Sequence, residues 1–121
     1  MTEEQQKQKL YNEGLNHFKS KDYFEAHESW EDLWSDYYLE DRKFIQGLIQ
    51  LSVSFVHLEN NNMNGAKSLL RKAKEKFQLF SEIHRNINLD VLLNEIKLVE
   101  NKYNDIDSVI DFDWTLIPSL E

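Results

Sequence analysis

Apolar residues recur every three or four positions along most of the chain, the spacing that puts side chains on one face of a helix. The pattern predicts five helices, at about residues 3–19, 22–38, 40–59, 64–83 and 89–103. Asp22 followed by Glu25 is typical of a helix N-terminus, and the polar run of residues 60–62 is expected to separate the third helix from the fourth. The predicted fold class is therefore all-α, a bundle of about five helices.

The same pattern favours a single domain with an attached tail. Three glycines and one proline among 121 residues are too few turn residues for a sheet. Residues 1–121 are expected to form one helical domain, since this is the length of an ordinary domain. Residues 104–121 are rich in aromatic and aliphatic side chains, so this tail is expected to pack on the bundle or on a second subunit.

A weak internal repeat relates the first two predicted helices to the next two. At an offset of forty residues, His17 aligns with His57, and Ala26 aligns with Ala66. Gly14 is small enough to let two helices of a hairpin approach closely. The arrangement resembles the tetratricopeptide helix–turn–helix, whose period is about 34 residues. We therefore predict two tetratricopeptide-like hairpins.

Composition and charge narrow the classes of function. The formal net charge of -8 disfavours binding to nucleic acid, which is itself anionic. The absence of cysteine excludes disulfides, thiolate metal sites and cysteine nucleophiles. The polar start is unlike a signal peptide, and the longest apolar stretch, residues 44–58, is too short to span a bilayer. The expectation is a soluble cytoplasmic protein with no cofactor and no membrane contact.

The segment EAHESWEDLW contains the first candidate site residues. At about 100° per residue, the second predicted helix divides its polar side chains into two sets. The carboxylates that follow the outer face are expected to be solvated; they are Glu25, Glu28, Asp32 and Asp36. His27 and Glu31 lie at the edge of the apolar arc near Trp34, and we expect them to turn inward.

The third predicted helix is apolar almost all round, but one ridge of it is polar. The ridge consists of Arg42, Gln46, Gln50 and His57. A buried polar group without a partner costs about 1–3 kcal/mol, so the ridge must meet another polar surface or a ligand. Because a short loop makes the second and third helices antiparallel neighbours, His27 and Glu31 are expected to face Arg42, Gln46 or Gln50, with Gly47 allowing close approach.

These motifs resemble those of a known family. YFEAHESWEDLW, then R-x3-QGLIQL, then H-L-E-N-x4-GA-x2-LL resemble the proteins grouped as domain of unknown function 309, over about residues 14–70. The resemblance implies an all-helical fold without an assigned activity. Its characteristic positions carry over to Glu25, His27, Glu28, Glu31, Trp34, Arg42, Gln46, Gly47, Gln50, His57, Gly65 and Ala66.

Four interpretations of the polar residues remain open at this point. They could fix the register of two helices, or line a cleft with an aromatic wall that binds a protein or a small anion. His27 could act as a general base oriented by Glu31, and His27, Glu31 and His57 could hold a metal. HESWE has glutamate where the zincin motif has its second histidine, and no serine or threonine is placed as a nucleophile.

We therefore predict a non-enzymatic binding or protein-interaction module, with no catalytic residue, no bound metal and a possible homodimer. The predicted ligand-binding or structural cluster comprises His27, Glu31, Trp34, Arg42, Gln46, Gln50 and His57. The alternative is a small hydrolase-like or metal-binding protein that uses His27, Glu31, Arg42 and His57.

Overall fold

The computed structural model describes all 121 residues and confirms the all-α class. Five helices form the body of the protein: α1 (Glu3–Lys19), α2 (Tyr23–Asp36), α3 (Arg42–Glu59), α4 (Met63–Phe77) and α5 (Leu89–Asp105). Two short antiparallel strands, β1 (Ile83–His84) and β2 (Ile87–Asn88), precede α5. Two 3-10 turns follow it, Val109–Asp111 and Trp114–Leu116. None of the helices combines the length and the apolar composition that a membrane-spanning helix requires.

The turn between α1 and α2 has the same construction as the turn between α3 and α4. Asp22 donates its backbone N–H to the carbonyl oxygen of His17 at 2.9 Å, and Asn62 donates to His57 at 2.8 Å. The side chains of Asp22 and Asn62 then cap the helix that follows, each by accepting from the N–H three residues later. The offset of forty residues therefore corresponds to two matching hairpins. Their likeness to tetratricopeptide hairpins stays a prediction.

α1 and α2 pack closely through one glycine and one tryptophan. Gly14 lies directly against the indole of Trp30, which is fully buried. The indole Nε1 donates to the carbonyl oxygen of Tyr11 at 3.1 Å, so a backbone acceptor satisfies the ring nitrogen inside the core. The close approach that Gly14 predicts for this hairpin is present.

α3 lies between α2 and α4 and carries most of the core, because it is buried along nearly its whole length. Gly47 was expected to bring α3 close to α2, but it faces α4 instead. A Cβ at Gly47 would lie 3.0 Å from the ring of Phe77 and 3.1 Å from the Cβ of Lys76. α3 has two neighbours, and the sequence of one helix does not say which of them a small residue contacts.

α4 is shorter than the predicted helix of residues 64–83, and this prediction was wrong at its C-terminal end. α4 ends at Phe77, and β1 and β2 are joined by a two-residue turn at Arg85 and Asn86, with φ angles of 47° and 64°. Positive φ at both central residues is the conformation of a tight hairpin turn, which a helix cannot contain. The turn brings residues 80–85 back toward α1 and the start of α3.

The C-terminal tail packs on the bundle. Phe112 and Leu120 are buried members of the core, and the ring of Phe112 lies 5.4 Å from that of Tyr103 on α5. Trp114 stacks on Tyr23 of α2, with ring centroids 6.2 Å apart. The apolar residues of the tail thus cover one end of the α1–α2 hairpin and one side of α5.

Candidate functional site

The structure does not bring His27 and Glu31 into a shared inward-facing site. His27 is half-buried, and its Nδ1 lies 2.9 Å from the carbonyl oxygen of Phe24 and 3.7 Å from the carboxylate of Glu28. Glu31 is exposed and forms no ion pair, so the expected contact between Glu31 and Arg42 is wrong. A carboxylate at the edge of an apolar arc stays in water when it can, because an unpaired buried charge is costly.

Arg42 contacts Trp34 instead of Glu31. The guanidinium lies over the indole at 3.9 Å from the ring centroid, and Nη1 donates to the carbonyl oxygen of Trp34 at 3.0 Å. This is a cation–π contact at the surface, with the hydrogen bond fixing its geometry. Arg42 thereby ties the start of α3 to the end of α2.

The other ridge residues are half-buried and lie along α3 without joining one cluster. Gln50 buries its Oε1 without a hydrogen-bond partner, and the Nε1 of Trp34 is buried without one as well. His57 instead belongs to the α3–α4 turn: its Nδ1 lies 3.4 Å from the amide of Asn62, and its ring lies against Gly65. No group of three or more His, Cys, Asp or Glu side chains is placed to hold a metal ion.

The largest cleft lies elsewhere, between three segments that are distant in sequence. It has a volume of about 640 Å³ and is lined by residues of the first turns of α1, by residues 38–41 of the loop before α3, and by Phe80, His84 and Arg85. Pockets of this size that carry convergent polar groups are the usual place for a binding site.

Asp41 is the centre of this cleft's polar cluster. Its carboxylate accepts from Nε and Nη2 of Arg85, at 2.5 and 3.0 Å, and from Nε2 of His84 at 2.8 Å. Burial raises the pKa of Asp41, but the hydrogen bonds from Arg85 and His84 and the positive charge of Arg85 outweigh it, so the net pKa lies below its usual value. Asp41 therefore stays an anion held by two donors from the hairpin.

His84 is oriented by this contact. Because a carboxylate can only accept, Nε2 carries the hydrogen of this contact. The ring packs between Phe44 and Phe80, with centroid distances of 4.5 and 4.8 Å. Nδ1 has no partner in the chain and is not among the buried atoms, so it is accessible from solvent.

Arg85 is held from a second side by Tyr11 of α1. Its guanidinium lies 4.6 Å from the centroid of the Tyr11 ring, and the hydroxyl of Tyr11 donates to the carbonyl oxygen of Arg85 at 3.5 Å. Burial raises the pKa of Tyr11 to about 12. These contacts hold Arg85 at a φ of 47°, a conformation that costs a residue with a Cβ some energy.

This cluster was missed from the sequence, although one local signal points to the hairpin. In I-H-R-N-I-N an apolar–polar pair stands on each side of Arg85 and Asn86, and asparagine tolerates the positive φ found at Asn86. That signal locates the turn, but Asp41 lies 43 residues before His84, and nothing in the sequence joins them.

Comparison with known families now adds to this geometry. The family described as domain of unknown function (DUF309) matches residues 11–69. Over these residues the chain is similar to the DUF309 family. The match contains Tyr11 and Asp41 of the cleft, whereas His84 and Arg85 lie beyond it.

The uncharacterized protein YpuF of Bacillus subtilis (strain 168) is 30% identical over 103 residues, which cover 82% of this chain. The chain spans 57% of the length of that relative. No solved structure is significantly similar to the chain described here.

Replacing Asp41 by Asn is expected to loosen the hairpin from the helices. The amide cannot accept from Arg85 and His84 as a carboxylate does, so the free energy of unfolding should fall by about 1–2 kcal/mol for this partly exposed cluster. Amide hydrogen exchange of residues 83–88 checks the result locally, and urea unfolding checks it globally.

The stability difference between wild type and Asp41→Asn should depend on pH in one direction. The folded-state pKa of Asp41 lies below 3.8, so its contribution to stability is present above that pH and is lost as the pH falls through the folded pKa. The difference between wild type and Asp41→Asn should therefore shrink below about pH 4. Asp32→Asn, at an exposed carboxylate on α2, is the control; equal losses for both variants would contradict this account.

Proposed function

We propose that this protein is a non-enzymatic interaction module and that the cleft around Asp41, His84 and Arg85 is its docking site. The cluster joins three segments into a fixed surface: the loop before α3, the hairpin and, through Tyr11, α1. The acceptor and donors at its centre satisfy one another, which suits recognition by a preorganised surface.

Exposed apolar side chains at the cleft carry this proposal. Tyr38 lines the cleft and is 74% exposed, while Ile83 and Leu79, next to the lining residues His84 and Phe80, are 67% and 63% exposed. Large apolar groups that remain in water beside a cleft mark a surface for a partner. Tyrosine and arginine are also the residues that most often dominate binding energy at interfaces.

The alternative of a hydrolase or metal protein has no support from the geometry of its four residues. His27 contacts its own helix, Arg42 contacts Trp34, His57 contacts Asn62, and Glu31 faces water. Four side chains with four separate surroundings cannot act on one substrate atom. Arg42 is exposed where α3 meets α2, so a variant of Arg42 tests whether a partner docks on that face instead of in the cleft.

The test is recovery of partners from a lysate of the cells that make the protein, quantified by mass spectrometry. Tyr38→Ala with Ile83→Ala removes one exposed side chain that lines the cleft and one that is next in sequence to the lining residue His84. Leu98→Ala with Ile110→Ala removes two exposed side chains that do not line it. We expect wild type and the control to recover a common set of proteins, and the cleft variant to recover at least about tenfold less, as for hot-spot residues.

Three outcomes would contradict or relocate the proposal. The proposal is contradicted if wild type, control and cleft variant recover the same proteins in equal amounts. It is also contradicted if wild type recovers no protein in a larger amount than the cleft variant does. Recovery that falls with Arg42→Ala but not with the cleft variant places the partner on the face formed by Trp34, Arg42, Gln46 and Gln50.

A further inference from the structure

We propose that the groove between α4 and α5 is a second binding site, and that it takes the phosphate group of a small ligand. The groove has a volume of about 280 Å³ and shares no lining residue with the cleft around Asp41. This site is therefore additional to the proposed docking site. Most of its lining residues are polar, and few of these side chains have a partner within the chain.

The α4 wall of the groove is a polar stripe. Its four polar residues follow one another at spacings of three, one and three, which puts them on one side of the helix. None of the four forms a side-chain hydrogen bond within the chain, so their donors are available to a ligand. They are Asn64, Lys67, Ser68 and Arg71.

Lys67 and Arg71 are the two cations of this wall. Lys67 has no ion pair, and Nε of Arg71 lies 3.8 Å from the carboxylate of Glu75. The side chains of Arg71 and Glu75 are 62% and 61% exposed, and an ion pair this open to water contributes little. Both cations can therefore contact a ligand without the loss of a strong interaction.

The α5 wall adds one anion and one amide. The carboxylate of Glu100 lies 3.2 Å from Nζ of Lys74, so a cation of α4 already balances it. Asn104 also lines the groove, and its side chain has no hydrogen-bond partner within the chain. A run of cations on a single helix is usually a solvated face. Here α5 provides a second wall, and the groove has an excess of positive charge although the whole chain carries -8.

The donors of the groove favour an anion with several oxygens. A guanidinium donates two parallel hydrogen bonds to a phosphate, and an ammonium adds a point charge. A phosphate group has three strong acceptor oxygens, and the groove offers neutral donors beside its two cations. The cleft around Asp41 has no such set, since Lys7 lies 3.2 Å from Glu4 and Arg85 is paired with Asp41.

The size of the groove favours a small ligand. Its volume lies just below the range of about 300–1,000 Å³ that is usual for ligand pockets. A nucleic-acid strand would extend beyond the groove, and the net charge of -8 would repel its other phosphates. We therefore expect the phosphate of a small molecule to bind more tightly than a phosphate in a nucleic-acid backbone.

The first experiment titrates the intact 15N-labelled protein with inorganic phosphate and follows the amide signals by NMR at constant ionic strength. The side-chain NH2 groups of Asn64 and Asn104 report on the groove itself, and we expect their signals to shift and saturate. In Lys67→Ala with Arg71→Ala, the Kd should be at least about tenfold weaker, because two charge-assisted contacts are lost.

Lys9→Ala with Lys43→Ala is the matched control. It removes the same amount of charge at two exposed residues, on α1 and α3, that do not line the groove. At an ionic strength of about 0.15 M such distant charges are screened, so the Kd should stay within about twofold of wild type. The NMR spectra also show whether each variant is folded.

The second experiment defines the ligand class by repeating the titration with acetate and with single-stranded oligothymidylate. Acetate has one charge and two oxygens, so it should bind at least about tenfold more weakly than phosphate. Oligothymidylate, at equal concentrations of phosphate groups, should shift the signals of Asn64 and Asn104 less than inorganic phosphate does.

Four results would overturn parts of this proposal. Shifts that stay linear to tens of millimolar phosphate overturn the site, and so do equal Kd values for the groove variant and the control. Acetate that binds as tightly as phosphate overturns the phosphate class, and tighter binding of oligothymidylate overturns the small ligand. None of these measurements depends on partner recovery, so the groove and the docking site are tested separately.

Discussion

Gly14→Ala is expected to destabilise the protein by about 1–3 kcal/mol, the loss typical of forcing an extra carbon into a packed core. A Cβ at this position would lie 2.1 Å from Nε1 of Trp30 and 2.4 Å from Cε2. The indole cannot move aside easily, because it is fully buried and bonded to the carbonyl oxygen of Tyr11. In an exposed helix the same change would stabilise by roughly 0.5–1 kcal/mol, so steric overlap reverses the sign.

Urea unfolding of Gly14→Ala and of Asn16→Ala, an exposed position on α1, measures this effect. Asn16→Ala should be neutral or slightly stabilising, since alanine is the better helix former. Trp30→Phe provides a smaller ring. The double variant should therefore lose less stability than the sum of the losses of the two single variants. A Gly14→Ala protein as stable as Asn16→Ala would show that α1 and α2 do not pack as described.

The second large effect is expected at a buried hydroxyl of α3. Ser54 donates to the carbonyl oxygen of Ala66 at 2.7 Å, so the hydroxyl of Tyr103, 3.0 Å away, donates to Ser54. Ser54→Ala leaves both groups without their partner inside the core where α3, α4 and α5 meet. The expected loss in the free energy of unfolding is about 2–3 kcal/mol.

Ser52 is the matched control, two residues away on the same helix. It is as fully buried as Ser54, but its Oγ has no hydrogen-bond partner. Ser52→Ala removes an unpaired buried hydroxyl, so stability should stay within about 0.5 kcal/mol of wild type or rise. Equal losses from Ser52→Ala and Ser54→Ala in urea unfolding would show that the hydrogen bonds of Ser54 contribute nothing specific.

These two sites support the candidate function indirectly. Gly14 and Trp30 set the position of α1, whose Tyr11 holds Arg85, and Ser54 ties α3 and α4 to α5. α5 follows directly on the hairpin that carries His84. The cleft therefore depends on packing far from its own residues, and for that reason its variants should be compared at equal stability.

The sequence contained the candidate residues of α2 and α3 but not their contacts. Trp34 and Arg42 were both identified, and they do meet, yet His27 and Glu31 were the residues expected to face Arg42, Gln46 or Gln50. A helical wheel gives the angle of Glu31 on its own helix, but burial also depends on whether a neighbour reaches that edge. Glu31 faces water, and Arg42 contacts the indole and a carbonyl oxygen instead.

The sequence by its local pattern predicts the five helices except for the end of α4, the cap at Asp22 and the pair of matching turns. Periodicity and capping act over three or four residues, so a linear pattern contains them. Only the tertiary structure decided that Gly47 faces α4 and that Asp41 binds His84 and Arg85. Such contacts join residues far apart in the chain, and they are selected by competition among packing, hydrogen bonding and water across the whole fold.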